Sequence, residues 1–371
     1  MIKNIKIARL HLMLLPLIGL SIIFLGCEGP EGPPGADGTA GTDGLAGLDV
    51  NESCKVCHNS GEELIGRRAQ YDVSGHATGG HAAYGNRSSC ARCHTSQGFV
   101  EFVAGAEITA PYATPNQQNC RTCHDLHNTY TEDDWDRRVT APVVSIQSDT
   151  LETTFADFGE GNICATCHQA RHADIPTLTA SADVTITSKR FGPHHGPQAN
   201  MLDGSAGYQV AGTVAYTAHA HSSISDGCVS CHMAEGGNYV VGGHTWNMYE
   251  DSHDADGDGD LGHFSDKSCV ASCHAGVDME DKIATSKATT DALIADLKVL
   301  LDAGGYLDAE GYVANSGVSL GGGVTLTVAP KIAGAIYNYR LIALEDGGYV
   351  VHNPTLVKAL LTNSIEALSG Q

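Results

Sequence analysis

Basic and aromatic residues are scarce in this chain of 371 residues. Lys and Arg together number 21 against 43 Asp and Glu, and the formal net charge at pH 7 is −22. A surface of this sign repels nucleic acid and disfavours anionic substrates such as nitrite, whereas it attracts basic proteins and cationic metal species. Aromatic residues make up only 6% of the chain. Nucleic acid is therefore excluded as an expected partner.

No cysteine follows residue 273. Twelve of the 13 cysteines are grouped along the sequence into six closely spaced pairs. Five pairs read C-x-x-C-H: Cys54-Cys57-His58, Cys90-Cys93-His94, Cys120-Cys123-His124, Cys164-Cys167-His168 and Cys228-Cys231-His232. This motif attaches c-type haem, because two thiols reach the vinyl groups of one porphyrin and the histidine becomes the proximal iron ligand. Zinc also binds C-x-x-C pairs, but it does not require a histidine after every second cysteine.

A sixth pair is spaced more widely. Cys269-Cys273-His274 has one extra residue between its cysteines, and this looser loop can still span the vinyl groups. The alternative for this pair is a spare cysteine pair or a disulfide. We number the motifs 1 to 6 in chain order and take six haems c as the working number, with His58, His94, His124, His168, His232 and His274 as proximal ligands.

The first 26 residues have the pattern of a signal peptide. Lys3, Lys6 and Arg9 precede an apolar run over residues 10–25, and such a segment implies export. Cys27 is the one cysteine outside the motifs and follows the lipoprotein-like letters FLG. We expect lipidation of Cys27 and a place in the outer membrane or at the cell surface. The alternatives are a retained membrane helix or cleavage at another position.

Residues 27–49 hold the lipidated cysteine and a short repeat. From Gly29 onward a glycine occurs at every third position, which is the collagen-like G-x-y pattern. We expect a stalk that lifts the following domain away from the lipid anchor. A stalk that joins three chains is the alternative.

Residues 50–276 are expected to form a hexahaem c-type cytochrome domain. With about 37 residues per haem, an ordinary apolar core cannot form, so the haems form the core and apolar side chains line their faces. The predicted fold class is a haem-cored multihaem cytochrome c with mostly short α-helices, irregular loops and a few short β-strands. Alternating runs predict strands over residues 139–146, 183–187 and 208–217.

Residues 277–371 are predicted to form a C-terminal helical and hairpin segment that packs on the haem domain. Apolar stripes indicate helices over residues 283–301 and 331–344. Alternating residues over 304–328 indicate a hairpin. A last helix is expected to begin with Asn353 as its N-cap and Pro354 at its first position.

The sixth ligand of each iron is predicted to be histidine. The chain has 19 His but only six Met, which favours bis-histidine ligation over His/Met ligation. His127 lies three residues after the proximal His124, so it cannot reach the same iron and would serve a neighbouring haem. The distal candidates are His76, His127, His195, His221, His244 and His352. Fallbacks are His81, His194 and His219, and reserves are His172, His253 and His263.

One acidic loop resembles a calcium-binding loop in sequence. Asp254, Asp256, Asp258 and Asp260 alternate with other residues, two of them glycines, but the bidentate Glu that ends an EF-hand loop is missing. We interpret this stretch as an acidic, solvated turn and keep Ca²⁺ as the alternative.

Several runs resemble a known family: SGHA with CARCHTSQGF, CHQAR, HHGPQANML, GCVSCHM with GGHTW, and AGAIYNYRLIALEDGGYVVHNP with LLTNSIEAL. Together they resemble the outer-surface multihaem c-type cytochromes of metal-reducing bacteria over most of residues 50–370. The resemblance implies bis-histidine haems in a continuous stack, with the histidines named above at its ligand positions. Some members polymerise into conductive filaments in which one subunit donates a histidine to a haem of the next, so a homo-oligomer or filament is an expected assembly.

These observations predict an extracytoplasmic electron-transfer protein rather than an enzyme. Its acceptors would be partner redox proteins, metal oxides or metal ions, and terminal metal reduction is compatible with this function. The alternative is a multihaem reductase with one open iron that acts on a small substrate. The nitrite reductases that such an enzyme would resemble use a C-x-x-C-K motif, which does not occur here. A structural filament or stalked scaffold is a third hypothesis, compatible with electron transfer.

Overall fold

The structure of the chain is a computed structural model. It describes residues 54, 55, 58, 62–147, 153–171, 182–194, 196–236, 238–250, 262–271, 273–314 and 323–370. The described residues all belong to one compact unit. The predictions that lie outside the described residues concern the signal peptide, Cys27, the G-x-y stalk, Cys57, His195, the reserve ligands His172 and His253, and the acidic loop of Asp254, Asp256, Asp258 and Asp260.

Short helices and loops make up the part of the chain that carries the motifs, as predicted. The α-helices here are Glu62–Asp72, Gly75–Thr78, Ser88–His94, Ser96–Val103, Cys120–Cys123, Asn162–Ala165, Gln198–Asp203, Gly227–His232 and Lys267–Val270. Short 3₁₀ helices lie at His81–Asn86, Glu132–Trp135, Gly159–Gly161, Ala220–Ser223 and Gly243–Thr245. Five of these α-helices contain a motif cysteine. Each of the five has only one or two turns, so a very short helix carries each of these motifs.

Thr95 shows how a motif helix ends and the next begins. Its Oγ1 donates to the carbonyl oxygen of Ala91 at 2.9 Å and accepts from the backbone N–H of Gly98 at 3.0 Å. It thereby bonds to the last turn of Ser88–His94 and caps the first turn of Ser96–Val103. The side chain is fully buried, so it fixes the direction in which the chain leaves motif 2.

Among its described residues the C-terminal segment contains four α-helices, which confirm the helical predictions made for it. They are Met279–Ala303, Pro330–Arg340, Tyr349–His352 and Pro354–Leu368, and a π turn, Leu341–Glu345, follows the second. Asn353 Oδ1 accepts from the N–H of Leu356 at 3.0 Å, so Asn353 is the N-cap of the last helix. Within the described residues no helix is long and apolar enough to cross a membrane.

Two strands form one antiparallel pair, in which Val184–Ser188 lies against Gly323–Val328 and Ile186 faces Leu326. The first strand confirms the prediction over residues 183–187. The predicted hairpin over 304–328 is wrong for its second half, because that strand pairs with a strand from much earlier in the chain. Residues 208–217 form no strand, and the stretch 139–146 contributes only an isolated bridge between Val144 and Thr154.

The larger apolar core lies among the C-terminal helices and the segment 186–210. Buried side chains of both parts contact one another there, among them Ile186, Met201, Tyr208, Leu297, Ile336 and Leu360. Residues 50–276 therefore do contain ordinary core residues, which corrects the expectation that haems alone form their core. Among the motifs themselves the described apolar cluster is small and consists of Phe155, Phe158, Ala165 and Ala199.

Asn338 joins the segment 205–210 to the C-terminal helices. Its Oδ1 accepts from the N–H of Tyr208 at 2.6 Å, and its Nδ2 donates to the Tyr208 carbonyl at 2.8 Å and to Ser364 Oγ at 3.0 Å. Gly207, with φ of +77°, lies so close to Leu360 that a Cβ would be 2.6 Å from its Cδ1. Glycine is required here because both the backbone conformation and the space exclude a side chain.

Candidate haem-binding site

The motifs face one continuous cavity with a volume of about 2780 Å³. This is several times the roughly 300–1,000 Å³ of a pocket for one small ligand. All six motif histidines line it, together with ten of the motif cysteines. The cysteines are Cys90, Cys93, Cys120, Cys123, Cys164, Cys167, Cys228, Cys231, Cys269 and Cys273. The widened sixth motif thus faces the same space as the regular ones.

Every motif histidine lies close to a histidine from outside the motifs. Their ring centres are 6.1–6.5 Å apart. The six pairs are His58 with His127, His94 with His194, His124 with His244, His168 with His76, His232 with His352, and His274 with His221. Five of these six non-motif histidines are distal candidates from the sequence.

The spacing of these pairs matches two imidazoles on opposite sides of one metal ion. Two metal–nitrogen bonds of about 2 Å, with about 1.1 Å from each nitrogen to its ring centre, give about 6.2 Å between ring centres. Packed aromatic rings also lie about 4.5–7 Å apart, so one pair alone would carry little weight. Ordinary ring packing gives no reason for all six motif histidines to have such a partner. The donor set therefore fits haem iron.

Motif 2 differs from the others because two non-motif histidines lie near its imidazole. The ring of His194 is 6.5 Å from that of His94, and the ring of His81 is 6.1 Å away on an exposed 3₁₀ helix. His195, which the sequence favoured over His194, lies outside the described residues. His81 also stacks on Tyr84, with ring centres 6.3 Å apart.

Oxygen acceptors that belong to the described residues orient five of the twelve paired rings. Nδ1 lies 2.5 Å from Trp135 O in His124, 3.3 Å from Gln198 Oε1 in His168 and 2.9 Å from Trp246 O in His232. It lies 2.6 Å from Val351 O in His221 and 2.8 Å from Asp346 Oδ1 in His352. An acceptor at Nδ1 holds the hydrogen there and leaves Nε2 as the free lone pair, which is the arrangement of metal-ligating histidines.

Burial keeps several of these rings neutral, as iron ligation requires. It lowers the pKa of His76 to about 4, with a contribution from His168. It lowers the pKa of His244 to about 4 as well, with contributions from Arg67 and His124. For His352 burial acts in the same direction, but the neighbouring Asp346 carboxylate outweighs it and raises the pKa.

Comparison with known proteins bears on the class of protein to which this chain is similar. No family model matches the chain, and no solved structure matches it. Among curated proteins, the chain is similar to the C-type polyheme cytochrome OmcB of Geobacter sulfurreducens, in strain DL-1 / KN400 and in strain ATCC 51573 / DSM 12127 / PCA. Each is 25% identical over 360 residues, which cover 85% of this chain and 43% of the relative.

This chain resembles a multihaem c-type cytochrome. The resemblance predicted from the sequence is thereby confirmed, at a distant level of identity. The chain spans less than half the length of these curated relatives. Among the described residues, no group of three or more His, Cys, Asp and Glu is arranged to hold a metal ion without a cofactor.

Cysteines of different motifs touch one another in this multihaem arrangement. The side chains of Cys93 and Cys167 interact with each other, and so do those of Cys164 and Cys228. Motif 4 therefore lies directly between motifs 2 and 5. The interactions with Cys228 and Cys93, together with burial, raise the pKa of the Cys164 and Cys167 thiols.

Trp246 contacts histidines of three different pairs. Its ring centre is 4.6 Å from that of His76 and 5.7 Å from that of His244, and its carbonyl accepts from His232. Its φ of 57° is unusual for a bulky residue. The sequence did not single out this role. The signal available was that the chain has only two tryptophans, and the carbonyl of each accepts from a motif histidine.

Asp134 is a second residue that the sequence did not reveal. Its carboxylate accepts from the backbone N–H of His127 at 2.7 Å and from that of Thr129 at 2.7 Å, as well as from Thr129 Oγ1. These bonds outweigh the effect of burial and lower its pKa to about 2. The loop that presents His127 is thus tied to one ionised side chain.

Proposed function

We propose that this chain is an exported electron-transfer protein that binds six c-type haems with two histidines at each iron. The observation that carries the proposal is the set of six histidine pairs along one cavity, each containing one motif histidine. The similarity to a polyhaem cytochrome supports haem c as the cofactor. Haem supplies a one-electron carrier at each position.

The proposed ligands follow from the pairs, and all of them come from one chain. His194 is assigned to motif 2, with its ring centre 6.5 Å from that of His94, and His81, with its ring centre 6.1 Å away, is the alternative. The other distal ligands are His76, His127, His221, His244 and His352. A histidine donated by a neighbouring subunit is not needed for any iron in this assignment.

The protein contributes rigid placement of these ligands. The thiols would hold each porphyrin edge, and the described Nδ1 acceptors fix five of the paired rings. Contact between cysteines of motifs 2, 4 and 5 places neighbouring sites at short distance. Closely spaced haem sites with ligands held in place favour electron transfer between haems over turnover of a substrate.

The physiological partners are inferred from charge and from the N-terminal segment. A net charge of −22 favours basic redox proteins and cationic metal species or metal oxides as acceptors. The signal peptide and Cys27 support a protein anchored by lipid at the outer membrane and exposed at the cell surface. Assembly into homo-oligomers or filaments remains compatible with both.

Carbon monoxide binding distinguishes this proposal from the reductase alternative. A reduced haem with two histidines has no free position for the gas, whereas a catalytic haem leaves one open. We expect no carbonyl spectrum from the reduced holoprotein. A carbonyl signal equal to about one haem in six would favour the reductase and contradict the proposal.

A further inference from the structure

Asp346 is the only carboxylate that the described residues place on the Nδ1 of a paired histidine. It follows the π turn Leu341–Glu345 and is 1% exposed. Its Oδ1 lies 2.8 Å from Nδ1 of His352 and accepts from the N–H of Gly348 at 3.2 Å. Its Oδ2 is buried, and no hydrogen-bond partner for it exists among the described atoms. The imidazole is therefore the main group that balances this charge.

The other oriented rings have neutral acceptors. His124, His221 and His232 face backbone carbonyls, and His168 faces the side-chain amide of Gln198. Among the rings whose Nδ1 acceptor the structure describes, motif 5 is thus set apart, because one of its two imidazoles is bonded to a full negative charge. The nearby buried carboxylate of Glu345 does not have this effect, since its Oε1 is paired with Arg340 at 3.2 Å.

A carboxylate at Nδ1 makes the imidazole a stronger electron donor to a metal on Nε2. A stronger donor stabilises ferric over ferrous iron, and a buried negative charge close to the site acts in the same direction. We propose that Asp346 lowers the reduction potential of the haem held by His232 and His352, and so creates an energetic step at motif 5. This inference rests on the ligand set proposed above.

Motif 5 lies beside motifs 4 and 6, and this position decides which electron transfers the lowered potential would affect. Cys228 contacts Cys164 of motif 4, and Cys231 lies near Cys269 of motif 6. The neighbouring residue Val351 holds His221, the proposed distal ligand of motif 6, through its carbonyl oxygen. Electrons that pass between motifs 4 and 6 would therefore cross the site whose reduction potential Asp346 lowers.

The direct test is Asp346→Asn, measured by spectroelectrochemistry of the holoprotein. Asparagine keeps the size and the Oδ1 acceptor but removes the charge. We expect one of six redox components to move to higher potential by at least a tenfold change in its reduction equilibrium, which is about 59 mV for one electron. The haem content and the low-spin spectrum should stay unchanged.

A reciprocal variant and a charge control complete the design. Gln198→Glu places a carboxylate at Nδ1 of His168, and we expect one component to move to lower potential. Asp302→Asn removes the same charge from an exposed position next to Lys298, and no component should move by as much. Equal shifts in Asp346→Asn and Asp302→Asn would overturn the inference, because they would reflect net charge alone.

Two further results would also overturn it. Asp346→Asn could leave every potential in place with six low-spin haems, in which case the carboxylate does not tune the site. The same variant could instead yield one high-spin haem, in which case Asp346 only holds His352 in place. Failure of the proposed function can be distinguished from failure of this inference. It would be observed in the unaltered protein, as fewer than six low-spin haems.

Discussion

His127 and His194 both have a left-handed backbone, with φ of 63° and 67°. This conformation is uncommon for residues other than glycine, although histidine tolerates it better than most. It persists only where the surroundings impose it. For His127 the surroundings are the bonds of its loop to Asp134. The conformation of His127 thus depends on Asp134.

At this scale we predict that Asp134→Ala frees His127 from the iron of motif 1. Four loop N–H groups and the Thr129 hydroxyl would lose their common acceptor. About one haem in six should become high-spin in the optical spectrum. The matched control is Asp133→Ala in the same 3₁₀ helix, whose side chain is exposed. A low-spin spectrum in both variants would show that the loop holds without Asp134.

The two histidines near motif 2 give a second prediction. His194→Ala should leave one iron open, so that the reduced protein binds carbon monoxide at about one haem in six. His81→Ala should bind none, because we assign His194 as the ligand. The reverse pattern would assign His81 to the iron and place His194 in a packing role.

The spacing of His127 in the sequence predicted that its ring lies away from the iron of His124. Spacing could not decide whether His194 or His195 is the distal ligand. His127 follows His124 too closely to share its iron, and its ring lies beside His58 of another motif. The direction of a side chain in the HHGP stretch depends on the local φ, which no periodicity encodes. Asp346 and Asp134 were missed for a related reason, since their roles arise from loop geometry.

At the scale of elements, periodicity predicted the helices well and the strand partner poorly. The stripe over residues 283–301 became the helix Met279–Ala303, because local spacing alone decides which face is apolar. The strand Gly323–Val328 was recognised by its alternation, but Thr185 and Thr327 are paired across 142 residues. A local pattern carries no information about a partner at that distance.

The core beneath the C-terminal helices gives a stability prediction. Leu297 is 0% exposed, and Leu297→Ala should lower the free energy of unfolding by about 3 kcal/mol through lost burial and a residual cavity. Val299 in the same helix is 66% exposed, and Val299→Ala should change it by less than about 0.5 kcal/mol. Denaturant unfolding of both holoprotein variants measures the difference. Equal effects would mean that this helix is not packed as described.

At the scale of the whole molecule, the haem domain needs to be held where it can meet its partners. Cys27 is the expected anchor, and it lies outside the described residues. Cys27→Ala should move the protein from the membrane fraction to the soluble extracytoplasmic fraction, because the lipid can no longer be attached. Fractionation followed by haem staining measures this. A variant that stays with the membrane would contradict the lipoprotein prediction.

The central claim is that six irons are each held by two histidines of one chain. Low-temperature electron paramagnetic resonance of the oxidised holoprotein, with haem quantified on the same sample, tests it most directly. The account predicts six haems per chain, all of them low-spin. A high-spin signal close to one haem equivalent, or fewer than six haems, would contradict it.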